Sequence, residues 1–204
     1  MGSERLRVER IKKLRQLIEA LDGYRVGRYT DLSRVERLIE ELNLKLPHGW
    51  SAIRGDIEGI LELPRRSPLY PRLSKAESMA SILSKVNLAL LALAVFSYML
   101  AHTLLFMVLV ISSLVMVNVV YFLRTYVNLK ISAIYASNLD ELEALGIRIR
   151  DSVDYLIRQL KRELRAMSFK LEDFRLKLWV PDYGGIRVVK KPSIFSSRYE
   201  VSLA

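Results

Sequence analysis

Two histidines, His48 and His102, and no cysteine are available for metal ligation or imidazole chemistry. The lack of cysteine removes disulfides, thiolate metal sites and thiol nucleophiles together. His48 lies in a Pro-His-Gly turn within a charged region. His102 lies in the middle of the most apolar stretch, so no paired histidine site is expected. His102 alone at a water interface would suit a metal or proton site, but an ordinary interfacial polar residue is the simpler reading. Asp140, Glu141 and Glu143 crowd the start of a helical pattern. Negative charge there favours the helix dipole without any cation. The chain has no phosphate-binding glycine loop, no His-Glu-x-x-His and no Gly-x-Ser-x-Gly, and Gly184-Gly185 fits a turn. These residues predict a non-enzymatic protein with no catalytic residues, no cofactor and no metal.

The remaining polar candidates sit inside apolar sequence: Asn87, Ser97, Tyr98, Thr103, Ser112, Ser113, Asn118 and Tyr121. An asparagine in hydrocarbon seeks a partner, worth on the order of 1 kcal/mol. Folding the stretch at its middle mirrors Asn87 onto Asn118. The two are therefore expected at one depth, bonded within the fold or between copies. Ser112, Ser113 and Asn118 are candidates for lining a path, and Ala94, Ser97 and Ala101 form a small-residue face that permits close helix approach.

These positions belong to a charge-free run from Val86 through Leu123, 38 residues between Lys85 and Arg124. One membrane-spanning helix needs roughly 20 apolar residues, so the run predicts two spans, about 79–101 and 104–126, joined near Ala101-His102-Thr103. Each half of the run is roughly 26 Å as helix, slightly short of a core of about 30 Å. A helix begun at the capping box Ser74-Lys75-Ala76-Glu77 would lengthen the first span. A single bent span would be too long for ordinary tilt, and a buried soluble hairpin would need more surrounding protein than this chain carries. A shallow hairpin held in one leaflet is the remaining alternative.

The net charge is +10, shared equally: residues 1–85 hold 17 basic and 12 acidic groups, residues 124–204 hold 15 and 10. Arg65, Arg66, Arg72, Lys75, Lys85, Arg124 and Lys130 cluster at the ends of the run, and its tip has no cation. The positive-inside rule then predicts both termini in the cytoplasm of a multi-pass cell-membrane protein. The same seven residues are candidates for anionic lipid headgroups. Nucleic-acid binding is not expected, because basic residues on the helices alternate with acids as on a solvated face. The first 22 residues are too charged for a signal peptide, and Met1–Leu6 lacks the Ser/Thr of a myristoylation signal. Abundant Arg and Glu with few Gln fit a thermophilic prokaryote.

The flanks read as amphipathic helix. Residues 3–22 carry Val8, Ile11, Leu14, Ile18 and Leu21 on one stripe, with Ser3 as N-cap and Gly23 as stop. Tyr24–Thr30 follows as a basic connector. Ser33–Glu36 is a second capping box, opening a helix with Val35, Leu38, Ile39 and Leu42 inward. Trp50–Leu63 is a third helix. The expected organisation is an N-terminal helical bundle (1–63), a basic Pro-rich extended linker (64–73), the hairpin (74–127), a stalk and long coiled-coil-like helix (128–175) and a β-hairpin with tail (176–204). Heptads place Leu139, Val153, Leu160, Met167 and Phe174 at a, and Leu142, Ile149 and Leu156 at d, to pack on the N-terminal helices or on another copy. Leu176, Leu178 and Val180, then Ile186 and Val188 across Pro181–Gly185, predict paired strands.

This layout of helices, two spans and a long helix is similar to that of mitochondrial-uniporter-like channels, but their acidic motif between the spans has no counterpart here, so no family is assigned. The sequence therefore predicts a mostly α membrane protein that assembles through its cytoplasmic helices, as a homo-oligomer or with a protein partner. It would be a scaffold or a subunit of a larger complex. A homo-oligomeric channel or transporter, and a membrane-shaping or membrane-insertion factor, are the alternatives.

Overall fold

The computed structural model describes residues 2–28, 31–193 and 196–204, the first three of them as backbone only. The chain is mostly helical: α1 (Gly2–Arg25), α2 (Ser33–Leu42), α3 (Trp50–Arg66), α4 (Tyr70–Met99), α5 (Thr103–Ser137) and α6 (Leu139–Ala166) precede β1 (Arg175–Leu178), β2 (Ile186–Lys190) and β3 (Tyr199–Leu203). Two compact units divide it: Met1–Glu62 with Asn138–Ala204, and Leu63–Ser137.

In the first unit, α6 and the N-terminal helices share one core. Leu14, Leu17, Ile18 and Leu21 of α1, Ile53, Ile57 and Ile60 of α3, and Ile149, Leu156, Ile157 and Leu160 of α6 are fully buried. A Cβ added at Gly59 of α3 would meet Leu145 of α6 at 3.2 Å, so a residue without a side chain lets these helices approach. Arg148 donates from Nε to Asp56 Oδ2 at 2.7 Å and pairs with the other carboxylate oxygen, joining α6 to α3 again. The heptad reading of α6 holds only at its centre. Leu139 is exposed, and Met167 and Phe174 lie beyond the end of the helix. The buried set adds Ser152, Ile157 and Leu164, a broader stripe than an a/d seam. This is the width a helix presents to a globular core.

Several termini differ from expectation for local reasons. Gly23 does not stop α1. The left-handed residue is Gly27 (φ +67°), and Arg28 N–H donates to Gly23 O while Gly27 N–H donates to Tyr24 O. That pattern is a Schellman cap, and it places Asp22 inside the last turns of the helix. The Ser33 box is not used as a box. Asp31 Oδ1 accepts from Ser33 N–H (3.0 Å) and Ser33 Oγ (2.7 Å), so the acid two residues upstream ties down the start of α2. The side chain of Ser3, and residues Tyr29 and Thr30 of the connector, lie outside the described residues.

The expected extended linker is mostly helix. α3 continues through Pro64 to Arg66, and α4 begins at Tyr70 rather than at the Ser74 box. Pro64 lacks only one donor, and it lies one turn from the helix end. Pro71 sits in the first turn of α4, where its missing N–H would have had no partner.

The expected pairing of 176–180 with 186–188 is not made. The sheet order is β1-β3-β2, with β3 antiparallel to both neighbours, Leu176 opposite Val201 and Val188 opposite Val201. β3 comes from the segment expected to be a tail. The β1 ladder stops at Leu178 because the next two N–H groups, of Trp179 and Val180, donate to Asp22 instead of to a strand.

The second unit is an antiparallel hairpin of α4 and α5, 30 and 35 residues long. Its turn is built as expected around Ala101, which has φ +58°. His102 N–H donates to Ser97 O and Ala101 N–H to Tyr98 O, closing a Schellman cap on an alanine. α4 and α5 meet along a seam of buried residues spaced by seven or fourteen: Leu73, Ala80 and Ala94 on α4, Ser113, Val120, Val127 and Ile134 on α5. A seven-residue repeat keeps one stripe facing its partner along the whole length of two helices.

Candidate functional site

The hairpin has a single covered side. Only 11% of the most apolar stretch of either helix is buried. Leu88 (70% exposed), Leu104 (80%), Tyr121 (72%) and Phe122 (70%) stand outward, and Val95, Phe96, Met107, Ile111 and Val115 extend the same surface. Both helices are long and apolar enough to cross a membrane.

Within the seam, Ser113 Oγ donates to Asn87 Oδ1 at 2.8 Å. Asn87 therefore has an intra-hairpin partner as expected, but it is Ser113 and not Asn118. The helices meet with Asn87 nearly level with Ser113. Asn118 turns outward and donates its amide to Leu114 O one turn back, at 2.8 Å. Ser97 is buried in the seam with Ala94, and Ser112 is exposed on the opposite flank. The structure thus brings Asn87 and Ser113 together and leaves Ser112 and Asn118 on separate outer faces.

The turn at Leu100–His102 makes the two apolar legs unequal. From Val86 to Met99, α4 has 14 charge-free residues; from Thr103 to Leu123, α5 has 21. At 1.5 Å per residue these are about 21 Å and about 31 Å. Lys85 consequently sits about 10 Å closer to the tip than Arg124. Arg65, Arg66, Arg72, Lys75, Lys85, Arg124 and Lys130 are all exposed, with Lys130 Nζ lying 5.9 Å from the centre of the Tyr126 ring. A lateral groove of about 280 Å³ opens between the helices at this level. Ser84 and Asn87 line it from α4, and Val117, Val120, Tyr121 and Arg124 from α5.

The first unit holds a polar centre that sequence reading missed. Asp22 is fully buried and accepts from the N–H groups of Trp179 and Val180 and from Tyr183 Oη, the last at 2.8 Å. Burial pushes its carboxyl up to about 6, against the pull of these donors. One turn on, Arg25 forms a two-pronged pair with Asp182 at 2.6 and 2.7 Å and lies 5.5 Å over the Tyr183 ring. Burial opposes the charge of Arg25, but the Asp182 bonds outweigh it and hold the guanidinium above its usual range. The guanidiniums of Arg28 and Arg198 each lie 5.0 Å from the centre of the Trp179 ring. This centre fastens residues 179–183 to the end of α1. A legible signal existed: an acid four residues after Ile18, on the apolar stripe of α1.

His48 Nε2 lies 3.0 Å from Asp151 Oδ2 on the surface of this unit. His102 is exposed at the hairpin turn, where its carbonyl starts α5 by accepting from Phe106 N–H. Among the described residues no group of His, Asp and Glu is arranged to hold a metal. Asp140 and Glu141 occupy the first turn of α6, and Asp140 and Glu143 share a shallow groove with Arg25 and Arg150.

No protein-family model, no curated protein and no solved structure matches this chain.

Proposed function

We propose that the chain is a non-enzymatic membrane protein whose α4–α5 hairpin is surrounded by hydrocarbon, with both termini in the cytoplasm and the first unit serving as a scaffold or as a subunit of a larger complex. The observation that carries the membrane reading is the outward apolar surface of the hairpin. A soluble protein rarely exposes contiguous apolar patches beyond a few hundred Å². Here two helices bury one seam and expose the rest, unlike the core helix of a soluble protein. Every backbone N–H inside α4 and α5 can bond within its own helix, as hydrocarbon requires.

The scaffold reading needs a surface for a partner. The apolar stripes of α1 from Ile11 onward, α2, α3 and α6 are used within the chain, so assembly falls to residues outside these buried stretches. Leu6, Val8, Ile147 and Phe169 are exposed apolar positions of the first unit. The purified protein is expected to run as an oligomer or with a co-purifying partner; a strict monomer without a partner counts against this role. A channel would need several copies, because Ser112 and Asn118 stand on the outer surface of one hairpin while Ser113 is engaged with Asn87. Ion flux in liposomes that substitutions at Ser112 and Asn118 abolish would support that role instead.

The short α4 leg favours one second reading. About 21 Å of charge-free helix is less than a core of about 30 Å, as in a hairpin that enters one leaflet to shape or remodel the membrane. The native chain has no cysteine, so His102→Cys introduces a single thiol. Labelling by an impermeant thiol reagent from the side opposite the termini means the hairpin crosses; no labelling from that side means it does not.

A further inference from the structure

We propose that the groove between α4 and α5 is a binding site for one anionic phospholipid. The site rests on the membrane reading of the hairpin and goes beyond it by naming a ligand. Its floor is Val117 and Val120, its wall is Tyr121, its inner polar edge is Ser84 and Asn87, and its cation is Arg124. Three observations converge on a lipid rather than on another helix.

The first is charge. Arg124 is the first ion after the apolar run of α5 and makes no ion pair among the described residues. A lone guanidinium at the end of a helix's apolar run attracts an anionic headgroup, and its planar fork matches a phosphate. The second is the donor set. Asn87 Oδ1 is taken by Ser113 Oγ, and the Asn87 amide nitrogen donates to no group among the described residues. Asn87 and Ser84 both line the groove, where the ester carbonyls of a glycerolipid offer acceptors. The third is the unequal legs. Beside the last turns of the apolar run of α5, α4 already carries Lys85, Ser84 and Ser81. A bilayer levelled on Arg124 would leave Lys85 and Ser84 about 10 Å inside it. A headgroup drawn down the groove towards Arg124 meets Ser84 with phosphate instead of hydrocarbon. The groove thus combines an apolar floor, the polar side chains of Ser84 and Asn87, and the Arg124 cation.

The test uses the full chain in mild detergent, equilibrated with phosphatidylglycerol or phosphatidylcholine and read by native mass spectrometry. One phosphatidylglycerol is expected to stay bound per chain, in preference to phosphatidylcholine. Arg124→Gln should lower phosphatidylglycerol retention about fivefold, the worth of one cation at an anionic surface, and leave phosphatidylcholine unchanged; Arg124→Lys should restore most of the preference. Val117→Trp, which fills the floor, should lower retention of both. Equal retention of the two lipids, or an unchanged preference in Arg124→Gln, overturns the site. Flotation of the same preparations with phosphatidylcholine vesicles separates the failures: a chain that floats without lipid preference sinks this inference alone, and one that does not float sinks the membrane reading.

Discussion

Replacing Asp22 with Asn should change how the stability of the first unit depends on pH. The Asp22 carboxyl is pushed from 3.8 up to about 6 by burial. The folded chain therefore takes up a proton near pH 6 that the unfolded chain accepts only near pH 4. Stability linked to this proton is fully present below about pH 4 and is lost as pH rises through about 6. A difference of about two units corresponds to about 3 kcal/mol between the two ends of that window. Other acids tilt the opposite way: Asp31, held low by the Ser33 hydroxyl and N–H, loses its stabilisation as pH falls. The informative quantity is thus the difference between the native chain and Asp22→Asn at each pH. Trp179 is a local reporter, since its N–H donates to Asp22 and Arg28 and Arg198 both lie over its ring. With Trp50→Phe as background, denaturant unfolding followed by Trp179 fluorescence should show the native chain losing about 3 kcal/mol relative to the Asn variant between pH 4 and pH 7. A difference that is flat, or that rises with pH, refutes the assignment of Asp22 as a buried acid carried at a cost at neutral pH.

Other substitutions probe separate elements. Ala101→Gly should stabilise the hairpin turn by about 1 kcal/mol, because φ +58° strains an alanine and not a glycine; unfolding in mixed micelles measures it. Ser113→Ala should cost about 0.6–1 kcal/mol by removing the bond to Asn87. Asn118→Leu should cost nothing in the same micelle assay, and a loss there would show that copies pair through Asn118. Arg148→Ala should cost about 1–3 kcal/mol, since it removes both donors from the buried Asp56 carboxylate; thermal unfolding of the first unit reads it.

The hairpin was legible because hydrocarbon-length apolar runs are a long signal that local chemistry does not disturb, and the turn at Ala101–His102 fell where the run is most polar. Its register was less legible. Mirroring positions about the middle of the run pairs Asn87 with Asn118. The Schellman turn instead caps α4 at Met99 and brings Asn87 level with Ser113, a difference of five residues that no symmetry argument contains. The glycine at position 23 read as a stop because glycine tolerates a left-handed backbone, but the position that requires one is Gly27. Prolines 64 and 71 read as breakers, although near a helix end and in a first turn they cost little. The sheet order escaped because Asp22 on α1 removes Trp179 and Val180 from the ladder, a contact 157 residues away in sequence. Tyr199, Val201 and Leu203 alternate over only five residues, too short a run to tell a strand from a tail.

The most direct test of the account is vesicle flotation of the full chain, tagged at both ends, after an alkaline carbonate wash. The expected result is that the chain floats with the lipid and that protease added outside removes both tags together or protects both together. A chain left in the aqueous fraction, or two tags reached from opposite faces, would contradict a hairpin held in hydrocarbon.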